Sequence, residues 1–553
     1  MTSDQQPSHE KLKDFIESRI SEDIHFEIPP VSEEFILKQL SSLDDSKAVG
    51  LDGISPKLLR MGAPALAAPL TRLLNLSIST GIFPEEWKTA KVVPIHKKGS
   101  LQDTGNFRPV SILSTLSKLL ERHVHIAFYD FLKHFNLLHI AQSGFRNLFS
   151  CESALLNIVN KWTKAIDDDY MNGVILLDLR KAFDLIDHDI LISKLRIYKC
   201  SERTIQWFSS YLKGRTQCTI FKGKTSEKLP IKTGVPQGSI LGPLFFILFI
   251  NDLPMALQDS EADMYADDST ITAQAKTVPK IEQSLNKDAN IITQWCSENK
   301  MAAHATKTKV MLITTWQKRA SLPENERKLN VIMNGEQLEN VESERLLGVT
   351  VNNNLSWEKH IDNIVSKVNS KLALLRSIKG CLPLVARKMF SNAHILPYMD
   401  YCSTVWGSSP HVSNLLLAQK RAARTILDIK GKSMMEPENR THILFSRLQW
   451  MSIQDRIDYR KATIVYKSLN NLAPQYMCDM FQYAPRAQNT RLCVKACNDK
   501  ALQVPPGKHK VIFENSFSYS SVKLWNSLKP ELRNCSSLNS FKENYLRNYF
   551  NSN

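Results

Sequence analysis

No apolar stretch in this 553-residue chain is long enough to cross a bilayer. The longest, Ile240 to Ile250, is interrupted by Gly242-Pro243, and a span needs about 20 residues, so a buried helix is the reading that remains. Residues Met1 to Glu10 are polar and lack the apolar core of a secretory signal. The ten cysteines are scattered, without the close-spaced pairs that a zinc ribbon or knuckle requires. Cys493 and Cys497 have no well-placed His or Cys partner downstream and read as ordinary thiols. That usage fits a reduced, intracellular setting, nuclear or cytoplasmic. Internal repeats and low-complexity tracts are absent.

Present instead is a hydrophobic content of 43%, enough for two or three domains with their own cores. Charged residues make up 23%, an ordinary globular figure. The net charge of +16 and a pI near 9.2 point to a polyanionic partner, nucleic acid before membrane.

The stretch around which the chain is organised is Met264-Tyr265-Ala266-Asp267-Asp268. Asn251-Asp252-Leu253-Pro254 upstream is a helix stop, and Thr270 to Ala273 downstream is short and β-prone, so the spacing predicts strand, turn, strand. Adjacent acids repel; a tight turn tolerates them where a divalent cation takes up their charge. Alone, an Asp-Asp pair reads as solvated loop charge, and only its company changes that. Gly173 to Leu179 is an apolar strand that buries one acid, Asp178, which is costly to ionise without a cation beside it. Asp178 is therefore the natural third ligand. Phe183, five positions on, is placed to floor a nucleotide pocket. Of Asp184, Asp187 and Asp189, two serve as caps for a helix from Ile190 to Tyr198.

Gly234-Val235-Pro236-Gln237-Gly238-Ser239 opens the apolar helix. Its glycines let backbone approach a base or sugar, and its helix-terminal N–H groups are expected to face a phosphate. Lys91 to Gly99 is a β segment ending in Lys97-Lys98, and Asn106 to Ser111 follows it. Lys97 and Arg108 on these neighbouring elements suit a triphosphate clamp; read in isolation they suit a solvated basic hairpin equally well. Further along, a helix from Val278 to Trp295 precedes Lys307 and a strand from Val310 to Thr314. Leu346 to Val349 reads as a short strand with a glycine exit. Trp357 to Leu375 is a basic helix carrying Lys359, Lys367 and Lys371, and Gln419 to Arg424 heads a second. Ile28-Pro29-Pro30 is a linker mark near the start.

Taken in order, the strand with Asp178 and Phe183, then GVPQGS, then YADD, then Lys307, resemble the palm of a reverse transcriptase. The details are similar to the non-LTR, LINE-type branch of retrotransposon polymerases, jockey-like elements in particular. Supporting blocks are the Gly50-to-Ile54 loop, Pro94 to Lys98, Asn106 to Ser111, Gly144 to Arg146, and Leu347-Gly348. Several ordered blocks make the likeness specific where one would be weak. It covers roughly residues 45–430 and continues weakly toward the C-terminus.

The resemblance implies an α+β right-hand polymerase with fingers, a palm built on an antiparallel sheet, and a helical thumb. Residues 1–45 would be an extension or linker, 46–350 fingers and palm, 351–432 the thumb-like region, and 433–553 a mainly helical extension. It implies RNA-directed DNA synthesis on an RNA template and DNA primer with deoxynucleoside triphosphates. Asp178, Asp267 and Asp268 would hold two Mg²⁺ ions, or Mn²⁺, with the Leu179 carbonyl as a further ligand. Phe183 would exclude a ribose 2′-OH, Lys97 and Arg108 would grip the triphosphate, and Gln237 and Gly238 would line the base-pair pocket. Lys307 would protonate the pyrophosphate, and Leu347 and Gly348 would form a primer grip. His304 stands where that family usually has Asn. The endonuclease domain usual in such elements is not expected, since only about 45 residues precede the first block, nor is an RNase H domain, since no further acidic quartet falls on β-like segments. The competing reading is a nucleic-acid-binding relic without turnover; a decayed copy drifts at the three acids, and all three stand. A maturase would need an intron-binding domain, and none is identified.

Overall fold

The computed structural model describes residues 9–97, 99–429, 440–485, 500–508 and 513–552; Cys493 and Cys497 lie outside the described residues. In chain order the first strands are β1 (Thr89–His96), β2 (Phe107–Ile112), β3 (Met171–Leu177), β4 (Thr216–Phe221), β5 (Lys224–Thr225) and β6 (Leu229–Pro230). Then come β7 (Glu261–Tyr265), β8 (Asp268–Ala275), β9 (Lys309–Ile313), β10 (Ile332–Met333), β11 (Glu336–Gln337), β12 (Glu339–Asn340), β13 (Ser343–Leu346) and β14 (Val349–Asn352). With the many helices between them they make a mixed α/β fold. No helix among the described residues is long and apolar enough to cross a membrane.

The central sheet runs β12-β9-β3-β8-β7, antiparallel except where β12 joins β9. Strand β3 is buried on both faces because its Val, Ile and Leu residues serve two different cores. Met171, Ile175 and Leu177 belong to one, which takes in the N-terminal helices and the helix Val278–Glu298. Val174 belongs to the other, with Leu155, Ile158 and Trp162 of the helix Cys151–Asp167 and residues as distant as Trp525 and Phe541. The period of two along a strand sets this division. Gly173 is required on the first face: a Cβ there would stand 2.1 Å from the Ile281 side chain. On the second face the Trp162 indole donates to the Thr272 hydroxyl at 3.1 Å.

A second sheet, β2-β1-β4-β5 with β6 on β4, carries the β1–β2 hairpin, where Ile95 lies opposite Arg108. Several sequence expectations change here. Asp178 lies one residue past β3 rather than within it. Leu346 to Val349 is not a strand: Leu347 and Gly348, at φ 46° and 86°, are the two-residue turn joining β13 to β14. Two successive positive φ values suit a hairpin turn and break an extended run. Gln419 does not head a basic helix. It sits within Val412–Leu427, buried, holding the Met451 carbonyl and the Ile453 N–H. Ile28-Pro29-Pro30 is packed, since Ile28 and Val31 are buried and the Asn75 side chain bonds both backbone groups of Val31.

Candidate active site

The pairing of β3 with β8 sets Leu177 opposite Ser269. Continued by one residue, that register brings Asp178 against Asp268, on the sheet face that carries Thr270 and Thr272. Strands β7 and β8 close through Tyr265 opposite Asp268, leaving Ala266-Asp267 as a two-residue turn. Ala266 stands at φ 56°, a conformation in which an alanine is strained. Acids from two distant parts of the chain thus converge at one end of the sheet. Water reaches Asp267 and Asp268 at the tip, yet enough protein surrounds them that desolvation is the first cause raising both carboxyls from their ordinary value. The charge of Asp178 raises Asp267 further, while Arg108 and Lys97 oppose it. Asp268 is pushed up to about 6 by burial, then Asp267, then Asp178, with no cation opposing. Among the described residues no three His, Cys, Asp or Glu side chains are drawn into a metal-ligand cluster. The aspartates feel one another's charge without closing around a point.

The backbone of Asp178 is fixed from the segment before β9. His304 N–H donates to the Asp178 carbonyl at 2.8 Å, and the Thr308 hydroxyl accepts from the Asp178 N–H at 3.2 Å. Leu179 bridges Ala303, but the bonds there belong to Asp178 and Arg180. In an antiparallel ladder this turns the Leu179 carbonyl to the opposite edge, free of that pairing. Lys307 lies exposed on the turn that His304 begins. His304 therefore serves through its backbone, while its ring meets Thr306 at 3.0 Å.

The Gly234–Ser239 stretch is wedged between two elements. Gly234 passes 2.7 Å, measured from a built Cβ, from the Asp184 carbonyl oxygen, and Gly238 passes 2.3 Å from that of Ser111. The Gln237 carbonyl accepts from Ser111 N–H at 2.7 Å, and its amide donates to Asp184 at 3.0 Å. Gln237 thus ties β2 to the turn carrying Phe183. The Phe183 ring stacks on Phe246 at 4.4 Å and meets Phe145 edge-on at 6.1 Å. Of the two caps expected among these acids the structure shows one: Asp187 caps the following helix and pairs with Lys300, whereas Asp189 lies in its first turn and pairs with Lys213.

One expectation fails outright. The apolar helix Leu241–Phe249 does not offer its terminal N–H groups to a phosphate. Ile240 and Leu241 donate to the carboxylate of Glu121, at 2.7 and 3.3 Å, and Glu121 is fully buried. An internal anion already occupies the end of the helix dipole. Sequence reading missed Glu121, which lies 119 residues away from Ile240, and equally missed Gln142 and Asp263. Asp263 is buried against Lys161 at 3.0 Å and Asn157 at 2.9 Å, a satisfied ion pair beneath the site. Gln142 touches the acid turn itself; an amide preceding the Ser143-Gly144 step was the available signal.

Leu347 shares a small cavity with Asp268, Tyr265 and Ser143, so the β13–β14 tip lies beside the acids. Its Leu347 carbonyl accepts from the Tyr401 hydroxyl at 2.7 Å.

Residues 95–351 match the family model of reverse transcriptase (RNA-dependent DNA polymerase). Those residues form a reverse transcriptase domain. Its relatives are proteins of non-LTR retrotransposons. The chain is 26% identical over 415 residues to the probable RNA-directed DNA polymerase from transposon BS of Drosophila melanogaster, covering 72% of this chain and 45% of that protein. It is 25% identical over 431 residues to the RNA-directed DNA polymerase from mobile element jockey of the same species, covering 75% and 46%. A putative 115 kDa protein in the type-1 retrotransposable element R1DM of that species is 26% identical, covering 72% and 38%. The chain spans a little under half the length of the first two relatives.

Proposed function

We propose that this chain is an RNA-directed DNA polymerase that extends a primer 3′-OH with deoxynucleoside triphosphates on an RNA template. The observation that carries the reading is the convergence of Asp178, Asp267 and Asp268 at one sheet end, where Asp268 is raised first by burial and then by its acidic neighbours, and lowered by nothing. Hard oxygen donors, one of which, Asp268, has no opposing cation, fit Mg²⁺, or Mn²⁺ in its place, with the Leu179 carbonyl as a further donor. Two such ions, when bound, would acidify the attacking hydroxyl and neutralise the departing pyrophosphate.

The chain's own residues supply the rest. Lys97 and Arg108, whose charges already act on Asp267, grip the triphosphate. The Phe183 ring, braced by Phe246 and Phe145, blocks a ribose 2′-OH. Gln237 and Gly238, fixed between Ser111 and Asp184, line the base-pair pocket. Lys307 protonates the pyrophosphate, and Leu347 and Gly348 grip the primer. In this reading the second sheet belongs to the fingers, the central sheet is the palm, and the helices Glu358–Ile378 and Val412–Leu427 lie in the thumb of a right-hand arrangement.

The test is extension of a primer on a homopolymer RNA template with Mg²⁺ and a labelled deoxynucleotide. Asp267→Asn is expected to remove extension while RNA–primer binding stays nearly intact. Extension that survives the substitution places the chemistry elsewhere.

A further inference from the structure

The turn that carries Asp267 is held by a side chain from far upstream. Gln142 is 1% exposed, and its Oε1 accepts two backbone N–H groups, from Ala266 at 3.0 Å and from Gly144 at 2.7 Å. These two donors fix which end of the amide is oxygen. The segment itself lies along β7 as an added edge: Ser143 N–H donates to the Met264 carbonyl at 2.8 Å, and Met264 N–H to the Ala141 carbonyl at 2.8 Å. Gly144 completes the fit, because a Cβ there would stand 2.2 Å from the Ala266 nitrogen. Arg146 locks the segment from behind, donating to the carbonyls of His139 and Gln142 at 3.0 and 2.9 Å.

We infer that Gln142 is a positioning residue for the reaction: its amide oxygen holds Ala266 at positive φ and thereby sets where Asp267 points. An alanine leaves that conformation readily, because L residues disfavour it. Ala266 N–H is the group that would swing if it did, and no strand ladder holds it. Gln142 supplies the missing acceptor from a buried, immobile place. It needs no contact with substrate to act, since a small displacement of a reacting group can cost orders of magnitude in rate.

The inference rests on the polymerase reading, and the experiment separates the two. Wild type and Asp267→Asn are first compared in primer extension; if wild type extends and D267N does not, the polymerase reading stands. Gln142→Met, nearly isosteric and without the acceptor, is then expected to lower kcat by about ten- to a hundredfold while primer–template Kd stays within about twofold. The decisive comparison repeats the substitution on an Ala266→Gly background. Glycine populates positive φ as readily as negative, so the turn no longer depends on being held, and the loss caused by Q142M relative to A266G alone should shrink to about threefold or less. Gln142→Asn, a milder change that withdraws the oxygen by one methylene, is expected to show the same dependence on residue 266 and serves if Q142M does not fold. Equal losses on both backgrounds, or a kcat for Q142M indistinguishable from wild type, would overturn the assignment of Gln142 and leave the polymerase reading untouched.

Discussion

Two hairpin tips border one small cavity, and they are held in opposite ways. At the β7–β8 tip, Ala266 takes φ 56° and is restrained through its N–H by buried Gln142. At the β13–β14 tip, Leu347 takes φ 46° and is restrained through its carbonyl by the hydroxyl of Tyr401, a residue 43% exposed. The first tip carries charge and is fixed from within the core, close enough that position 144 accepts no side chain. The second carries no charge and leans on a side chain that solvent reaches. On the proposed reading, the contrast fits a division of labour in which the acids would need one fixed position, whereas a tip that gripped a moving primer would need a firm but adjustable contact.

The comparison breaks most completely at the acids. Asp267→Asn should reduce extension by more than about a hundredfold, as expected when several kcal/mol of charge stabilisation is lost, with primer–template binding retained in a filter or anisotropy assay.

Acidity gives the next largest effect. On the proposed reading Asp268 would have to ionise to hold a metal ion, and its carboxyl is raised to about 6, so the single-turnover rate should fall about tenfold per pH unit below that value. The sign for stability is the reverse of the usual carboxylate. The unfolded chain has the lower, ordinary value near 3.9, so the folded state holds the extra proton between the two, and stability falls as pH rises through this window. Asp268→Asn should therefore raise Tm at pH 7, with the difference closing near pH 4.

The uncharged tip responds less. Gly348→Ala puts a Cβ 3.0 Å from the Tyr401 ring at φ 86°, which should cost about 1 kcal/mol and raise the KM for primer–template severalfold while kcat holds. Tyr401→Phe removes one hydrogen bond to Leu347, worth about 1 kcal/mol, and should shift the same KM by about twofold. If Y401F instead lowered kcat as strongly as Q142M, the two tips would not differ in the way described.

Much of this was legible along the chain, because the informative residues are local. The apolar run before Asp178, the acid pair after Tyr265 and the glycines flanking Gln237 each announce a backbone requirement within a few positions. The sequence also exposes Phe183 by its distance from the strand, though not Phe246, on which it stacks. What stayed hidden depends on contacts between distant residues. Glu121 filling the end of the Leu241–Phe249 helix, Gln142 under Ala266, and Tyr476 donating across to Ser143 or Ser153 at 3.2 and 3.3 Å are pairings that no spacing rule encodes. The Leu347-Gly348 turn was misread because a leucine at positive φ has no signature of its own.

Strand β3 alternates its side chains between the two cores, and Asp178 is the first residue past its end. Each body of packing therefore fastens to the acid through every second position of one short ribbon. Shaving either body, even far from the catalytic face, should slacken that ribbon and disturb the aspartate. By this logic the fold around Asp178 should not survive trimming at the limits of the recognisable motifs, because residues beyond Leu448, such as Trp525 and Phe541, belong to the same core as Val174.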